Sequence, residues 1–283
     1  AVPLFWATAY FGDWFYFVDG IDVAVGRRRA PMSQAELQAV RLQAQTYLDG
    51  VAKDRAGPAY HHKFATRKQN AGRYFAQRRG EDALILTPSL GAKALQAARL
   101  ARAGLKAASF PWKSDYMSAA SFSEHRFYMG NLMTPQRAYD RPAEHYSKTN
   151  IFFPLQYEPE ASLLYHAPDS RNQLAVVEAM AQALPASHVL WVKEHPNQFG
   201  ALGSRAWRKL RKRYSNLRFI YGRENGRHLI QRCGLAVAIT STAGMDAMTY
   251  GRRCIVLGDV WFRDFPLAVP VRSVEALAQA LND

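Results

Sequence analysis

Past residue 150 the chain alternates between short apolar runs and longer amphipathic stretches with little interruption. Residues 150–155, 188–193, 217–221, 235–239 and 254–257 read as strands, and 173–184, 204–214, 224–232, 243–250 and 273–281 as helices. Short, uniformly apolar strands separated by helices are what a parallel sheet covered on both faces requires. The pattern predicts a doubly wound α/β unit with its ligand crevice at the carboxyl ends of the strands.

The first half carries a weaker signal. Residues 2–10 and 18–25 read as strands, with Gly12 and Gly20 as turn residues. Ser33 with Glu36 three residues on has the spacing of a capping box, opening a helix that runs to about Lys53. A very basic helix is expected over 60–79, then a strand at 83–87, a helix at 90–102 and a strand at 105–110, making a βαβ unit. Residues 110–150 lack sustained periodicity and read as a long irregular segment. A boundary near 145–150 divides the chain into two α/β lobes, 1–148 and 149–283.

Charge and cysteine content narrow the classes of function. Of 283 residues, 37 are Lys or Arg and 23 Asp or Glu, a formal net charge of +14. The cations cluster at 27–29, at 67–79 and at 205–213, which points to an anionic partner. No nucleic-acid module is recognisable, so the expected partner is an anionic inner-membrane surface rather than nucleic acid. No run approaches the roughly 20 apolar residues of a spanning helix, and residues 2–17 lack the basic start and cleavage pattern of a signal peptide. Two cysteines, both in apolar contexts, suit a reducing compartment. The expected location is the cytoplasm, in association with the membrane.

Three segments at expected strand ends carry chemistry. In Thr240-Ser241-Thr242-Ala243-Gly244, a strand-to-helix turn gathers more hydroxyls than one helix cap needs, together with a glycine. Such a turn presents O–H and backbone N–H donors to a phosphate. Asp246, a few residues into the helix, is placed either to accept from a ribose hydroxyl or to favour the positive helix end. In Lys193-Glu194-His195-Pro196, proline stops the strand, and an ammonium and an imidazole face the crevice as donors to phosphate or carboxylate. In Gln156-Tyr157-Glu158-Pro159-Glu160, two carboxylates flank a proline. One is suited to act as nucleophile or base while the other orients a partner, with Gln156 as a hydrogen-bonding group. The histidines at 61, 62, 125, 145 and 166 lack a metal-ligand spacing, so no metal is expected. No Gly-x-Ser-x-Gly elbow supports a hydrolase.

In combination, Pro154-Leu155-Gln156-Tyr157-Glu158-Pro159-Glu160-Ala161-Ser162, Val192–Pro196, Ser241–Ala247 and the following Gly-Arg-Arg-Cys-Ile-Val-Leu-Gly strand resemble the bacterial capsule polysaccharide biosynthesis family. That family includes transferases of 3-deoxy-manno-octulosonic acid (Kdo). The resemblance, over about residues 150–265, implies a GT-B-like enzyme of two Rossmann-like lobes that uses a CMP-activated sugar, with no further cofactor. It implies that His195, Pro196, Ser241 and Thr242 contact the cytidine monophosphate, and that Glu160 is the catalytic carboxylate. Two positions depart from the family's usual residues: Asp246 stands in place of a longer Glu, and Glu160 in place of Asp.

The expected activity is transfer of an acidic sugar, Kdo, from CMP to a capsule or other surface glycan or glycolipid. The expected catalytic residues are Glu160, Glu158 and His195. The donor-binding residues are Gln156, Lys193, His195, Pro196, Thr240, Ser241, Thr242, Gly244 and Asp246. Two other readings compete: a CDP-polyol phosphotransferase of the teichoic-acid type, and a non-catalytic basic module that binds nucleic acid or lipid.

Overall fold

The computed structural model describes residues 5–8, 15–18, 33–52, 74–79, 83–88, 90–109, 138–158, 160–195, 204–222 and 224–282, with short pieces at 122, 125–126 and 129. Its centre is a six-stranded parallel sheet built from β5 (Ser147–Pro154), β6 (Val189–Lys193), β7 (Leu217–Ile220), β8 (Cys233–Ala238), β9 (Arg253–Val256) and β10 (Ala268–Pro270). The strand order is β10-β9-β8-β5-β6-β7, and every pairing is parallel. This is the doubly wound order, and its topological switch point falls between β5 and β8, where successive crossovers run in opposite directions. The alternation of strands and helices in the second half therefore matches the structure, within a few residues at each end.

Burial explains why the central residues of these strands are apolar. On one face, Ile151, Phe153, Leu190, Val192, Leu217, Phe219, Val237 and Ile255 pack beneath α4 (Gln173–Ala183), α5 (Arg205–Arg213) and α8 (Val274–Asn282). On the other, Phe152, Trp191, Ile220, Ala236, Cys254 and Val256 meet α6 (Gly226–Gln231) and α7 (Ala243–Thr249). Successive residues of one strand serve opposite faces, as the pleat demands. Helices α4, α5 and α6 start on side-chain caps: Asn172 Oδ1 accepts from Ala175 N, Ser204 Oγ from Ala206 N and Asn225 Oδ1 from Arg227 N. Beyond α7, Gly251 has φ +69°, a left-handed position that glycine adopts without strain. At the switch point, a Cβ placed on Gly234 would lie 2.5 Å from the Lys148 carbonyl oxygen. Only glycine lets β8 approach β5 so closely there.

Three elements of this half were not expected. Residues 156–170 contain the short helix α3 (Ala161–His166) and a 3-10 turn (Pro168–Ser170). The three-residue β10 is too brief to leave a periodic trace, and it ends in a proline.

In the first half, β1 (Phe5–Thr8) and β2 (Phe15–Val18) pair antiparallel. The strand expected over 18–25 overlaps this pair only at Val18, and its remaining residues lie outside those described. Helix α1 (Gln34–Ala52) opens as predicted: Glu36 N donates to Ser33 Oγ (3.3 Å), and Ser33 N donates to Glu36 Oε2 (2.7 Å). The basic helix expected over 60–79 is overturned at its end, where β3 (Tyr74–Arg79) pairs antiparallel with β4 (Ala83–Pro88). A six-residue partner across Gly80-Glu81-Asp82 outweighs the helix propensity of Gln and Arg. The rest of that segment lies outside the described residues. The strand expected over 105–110 is also overturned, because α2 (Leu90–Ser109) continues through it. Gly104 is tolerated within this helix where Phe122 crosses, 3.3 Å from where a Cβ would sit. The predicted βαβ unit is thus an antiparallel pair followed by one long helix. Among the described residues of the first half there is no second parallel sheet.

Candidate active site

The loop leaving β5 is tied to both of its neighbours. The amide of Gln156 crosses the switch point to the residue that follows β8 by two: its Nε2 donates to Thr240 Oγ1 (2.5 Å), and its Oε1 accepts from Thr240 N (3.1 Å). The backbone of Gln156 is held as completely. Gln173, the first residue of α4, accepts from Gln156 N through Oε1 (2.6 Å) and donates from Nε2 to Gln156 O (3.1 Å). The same Nε2 donates to Glu158 Oε1 (2.5 Å). On the other side, the Tyr157 ring meets the His195 ring edge-on, with centroids 5.8 Å apart. One short loop thus links the hydroxyl turn, the imidazole and a carboxylate.

This arrangement fixes the polarity of the hydroxyls. Because Thr240 Oγ1 accepts from Gln156, its own hydrogen is left to donate elsewhere. Ser241 Oγ likewise accepts from Ala243 N (3.2 Å) and retains its proton, while Ser241 O receives Gly244 N (3.0 Å). Thr242 stands at the N-cap of α7 with φ −61° and makes no side-chain cap. Gly244 has a packing reason: a Cβ there would lie 3.0 Å from both Cys254 Sγ and Phe262 Cε2. Its absence seats α7 on the sheet and so sets the height of the turn.

Several other expected site residues are engaged elsewhere. Lys193, 7% exposed, directs Nζ to the carbonyls of Glu194 (3.1 Å) and Gly222 (2.8 Å), clamping the ends of β6 and β7. Glu194 is buried at 1% exposure, and its N–H donates to Ile220 O. Nearby, burial pushes the Glu224 carboxyl above its ordinary range, while the Lys193 and Arg232 cations pull it back. Asp246 is buried at 3% exposure, with Oδ1 3.6 Å from Arg227 Nη2. Both groups act electrostatically on Tyr47 of α1, whose phenol is raised mainly by burial; Arg227 lowers it and Asp246 raises it. Pro196 lies outside the described residues.

Glu160 is half-buried and occupies the N-cap of α3 in extended conformation, its carbonyl accepting from Leu164 N (3.3 Å). The hydroxyl of Ser162 is buried two residues on. Helix α3 leads to His166, whose Nδ1 is 3.0 Å from Asp259 O, and Asp259 N returns a bond to His166 O (2.7 Å). Because that partner is a carbonyl, Nδ1 carries the proton. A cavity of about 190 Å³ opens here, between His166–Ser170 and the carboxyl ends of β9 and β10. Arg263 and Arg272 both pair with Asp259 at its rim. Among the described residues no group of three or more His, Cys, Asp or Glu is placed to hold a metal.

Gln173 and Tyr157 are members of this site that the motifs did not single out. Tyr157 lies inside a quoted segment, but only tertiary contact reveals its stacking on His195. For Gln173 the sequence offers no signal beyond its place after a capping asparagine.

Fold and site together define a doubly wound α/β protein whose strand-end loops at the switch point bring hydroxyls, amides and a carboxylate together. The family model described as capsule polysaccharide biosynthesis protein matches residues 114–267, more than half of the chain, and the protein belongs to that family. No curated protein matches it. Among solved structures it is similar to the Thermosulfurimonas dismutans KpsC beta Kdo 2,4 transferase, with 16% identity and a TM-score of 0.34 over 50% of this chain. The match spans 42% of that protein's chain. It is also similar to the beta Kdo 2,7 transferase of the same KpsC, with 13% identity and a TM-score of 0.38 over 88% of each chain.

Proposed function

We propose that this member of the capsule family is a glycosyltransferase that moves an acidic sugar, Kdo, from a CMP donor to a surface glycan or glycolipid. The observation that carries the reading is the tie from Gln156 to Thr240, which joins the carboxylate-bearing loop to the hydroxyl turn across the switch point. A crevice at that point is where doubly wound sheets bind nucleotides. In this reading the Thr240 and Ser241 hydroxyls, with the turn ending in Thr242, donate to the phosphate as charge builds on the departing CMP. His195, steadied by Tyr157, adds a further donor. Glu160 acts at the anomeric carbon, as base toward the acceptor hydroxyl if configuration inverts or as nucleophile if it is retained. Glu158 orients the reacting groups beside it. Lys193 and Gly244 shape the crevice through the strand ends and the seat of α7. Asp246, with Arg227, sets the position of α7.

The reading extends to residues 1–148 as an acceptor-side lobe, completing a two-lobed GT-B arrangement that needs no metal, and to an anionic membrane surface as the place of work. The test is to pair donor consumption with binding. The protein should form a new glycosidic product from CMP-Kdo, and Glu160→Gln should abolish transfer while leaving CMP affinity nearly intact. Consumption of a CDP-polyol in place of CMP-Kdo would move the assignment to phosphotransfer. Full activity in Glu160→Gln would remove that carboxylate from the mechanism.

A further inference from the structure

Gln173 is 3% exposed, and its amide is fully engaged with Gln156 and Glu158. The Gln156 N–H can only meet an acceptor, so the Gln173 carbonyl oxygen must face it. The NH2 group is thereby turned the other way, with one hydrogen for Gln156 O and one for Glu158 Oε1. An unbroken chain of hydrogen bonds runs from Thr240 through the Gln156 side chain, then from the Gln156 backbone through Gln173 to the Glu158 carboxylate.

We propose that Gln173 is the positioning residue of this site, holding the Glu158 carboxylate in fixed register with the hydroxyl turn at Thr240. The inference rests on the transfer reaction proposed above. Glu158 is exposed, on a loop, and separated from Glu160 by a proline. Without an anchor, its carboxylate would sample many rotamers. The donated N–H holds the carboxylate in one orientation, and the anchor on α4 is itself buried. The carboxylate and the phosphate-holding hydroxyls then form one rigid constellation. A misplacement of about 1 Å in such an array can cost on the order of a hundredfold in rate.

Gln173→Glu separates positioning from packing. The new side chain has the same shape and still accepts from Gln156 N. When protonated, its single proton goes to Glu158, the charged and closer acceptor. When ionised, it sets a second carboxylate against Glu158 and drives it away. The ratio of variant to wild-type kcat should therefore be near one in mildly acid solution and fall at least about tenfold as pH rises through the shared titration. The donor KM, set at Thr240, should stay level across that range. The double variant Glu158→Gln with Gln173→Glu restores a hydrogen bond but moves the negative charge onto α4. It should fold and remain inactive, and it carries the comparison should Gln173→Glu not fold.

A kcat ratio for Gln173→Glu that is flat with pH, or wild-type kcat in the double variant, overturns the inference while the transferase reading stands. A wild-type protein that transfers sugar from no CMP donor overturns that reading, and the inference with it.

Discussion

At the scale of single residues, the crevice shows a division of labour that side-chain chemistry explains. Long cations and buried acids hold the frame, while short hydroxyls and amides line the opening. Lys193 illustrates the first group. Its ammonium joins two carbonyls at the ends of neighbouring strands and lies near Glu224, whose carboxyl burial has already raised. Lys193→Met leaves both carbonyls without this partner and removes the stronger of the two cations that lower the Glu224 pKa, leaving Arg232. The expected loss of stability is about 1–3 kcal/mol. It should also grow with pH, because a carboxyl whose folded pKa is raised stabilises only while it keeps its proton. Denaturant midpoints measured from pH 5 to pH 8 should diverge between variant and wild type, and parallel curves would remove Glu224 from the account. The two cysteines allow a simpler test. Burial pushes the Cys233 and Cys254 thiols up to about 12, so neither holds appreciable thiolate at neutral pH. Mass spectrometry after alkylation should find both unmodified in the native protein and both labelled once it is unfolded.

At the scale of elements, what the sequence revealed depended on burial. The strands β5 to β9 were legible because each is buried between two layers of helices over a short stretch, and that stretch is apolar. The helices between them were legible from their amphipathic spacing, and in the structure Asn172, Ser204 and Asn225 cap their starts. Strand β3 was not legible. Its Gln77, Arg78 and Arg79 carry no strand signal of their own, and pairing with β4 decides its state. The continuation of α2 past Gly104 was hidden for a related reason, since a lone glycine reads as a break. In the site, the hydroxyl turn and the Gln-Tyr-Glu segment were visible as motifs. What could not be read was which side chains would meet, because Gln156 and Thr240 are 84 residues apart. Gly244 tests the geometry at this scale. Gly244→Ala would press a methyl group against Cys254 and Phe262, both at 3.0 Å. The expected cost is about 1–3 kcal/mol, with α7 shifted outward and nucleotide affinity reduced in step. A variant as stable as the wild type would mean that α7 is not seated by that glycine.

At the scale of the whole molecule, the charge of +14 and the position of the crevice belong to one account. Helix α5 buries Leu210 and stacks Trp207 on Phe219, leaving Arg205, Arg208, Lys209 and Lys212 exposed on its outer side. No helix among the described residues is long and apolar enough to cross a membrane, and the exposed cations of α5 form a surface to which anionic lipid would be attracted. Each cation near an anionic bilayer contributes about 1 kcal/mol. The protein should therefore sediment with phosphatidylglycerol vesicles at low salt, and reversing these four charges should weaken the association by at least about a hundredfold. Unchanged sedimentation would place the contact elsewhere.

The claim on which the rest depends is that the crevice between β5 and β8 holds the phosphate of a cytidine nucleotide. Calorimetric titration of CMP into the wild type and into Thr240→Val addresses it most directly, because valine keeps the shape of threonine and removes its hydroxyl, both the donor left for the phosphate and the acceptor that holds Gln156 Nε2. Saturable binding to the wild type, weakened about tenfold or more in the variant, is the predicted result. Equal affinity in both proteins, or no heat from either, would contradict it.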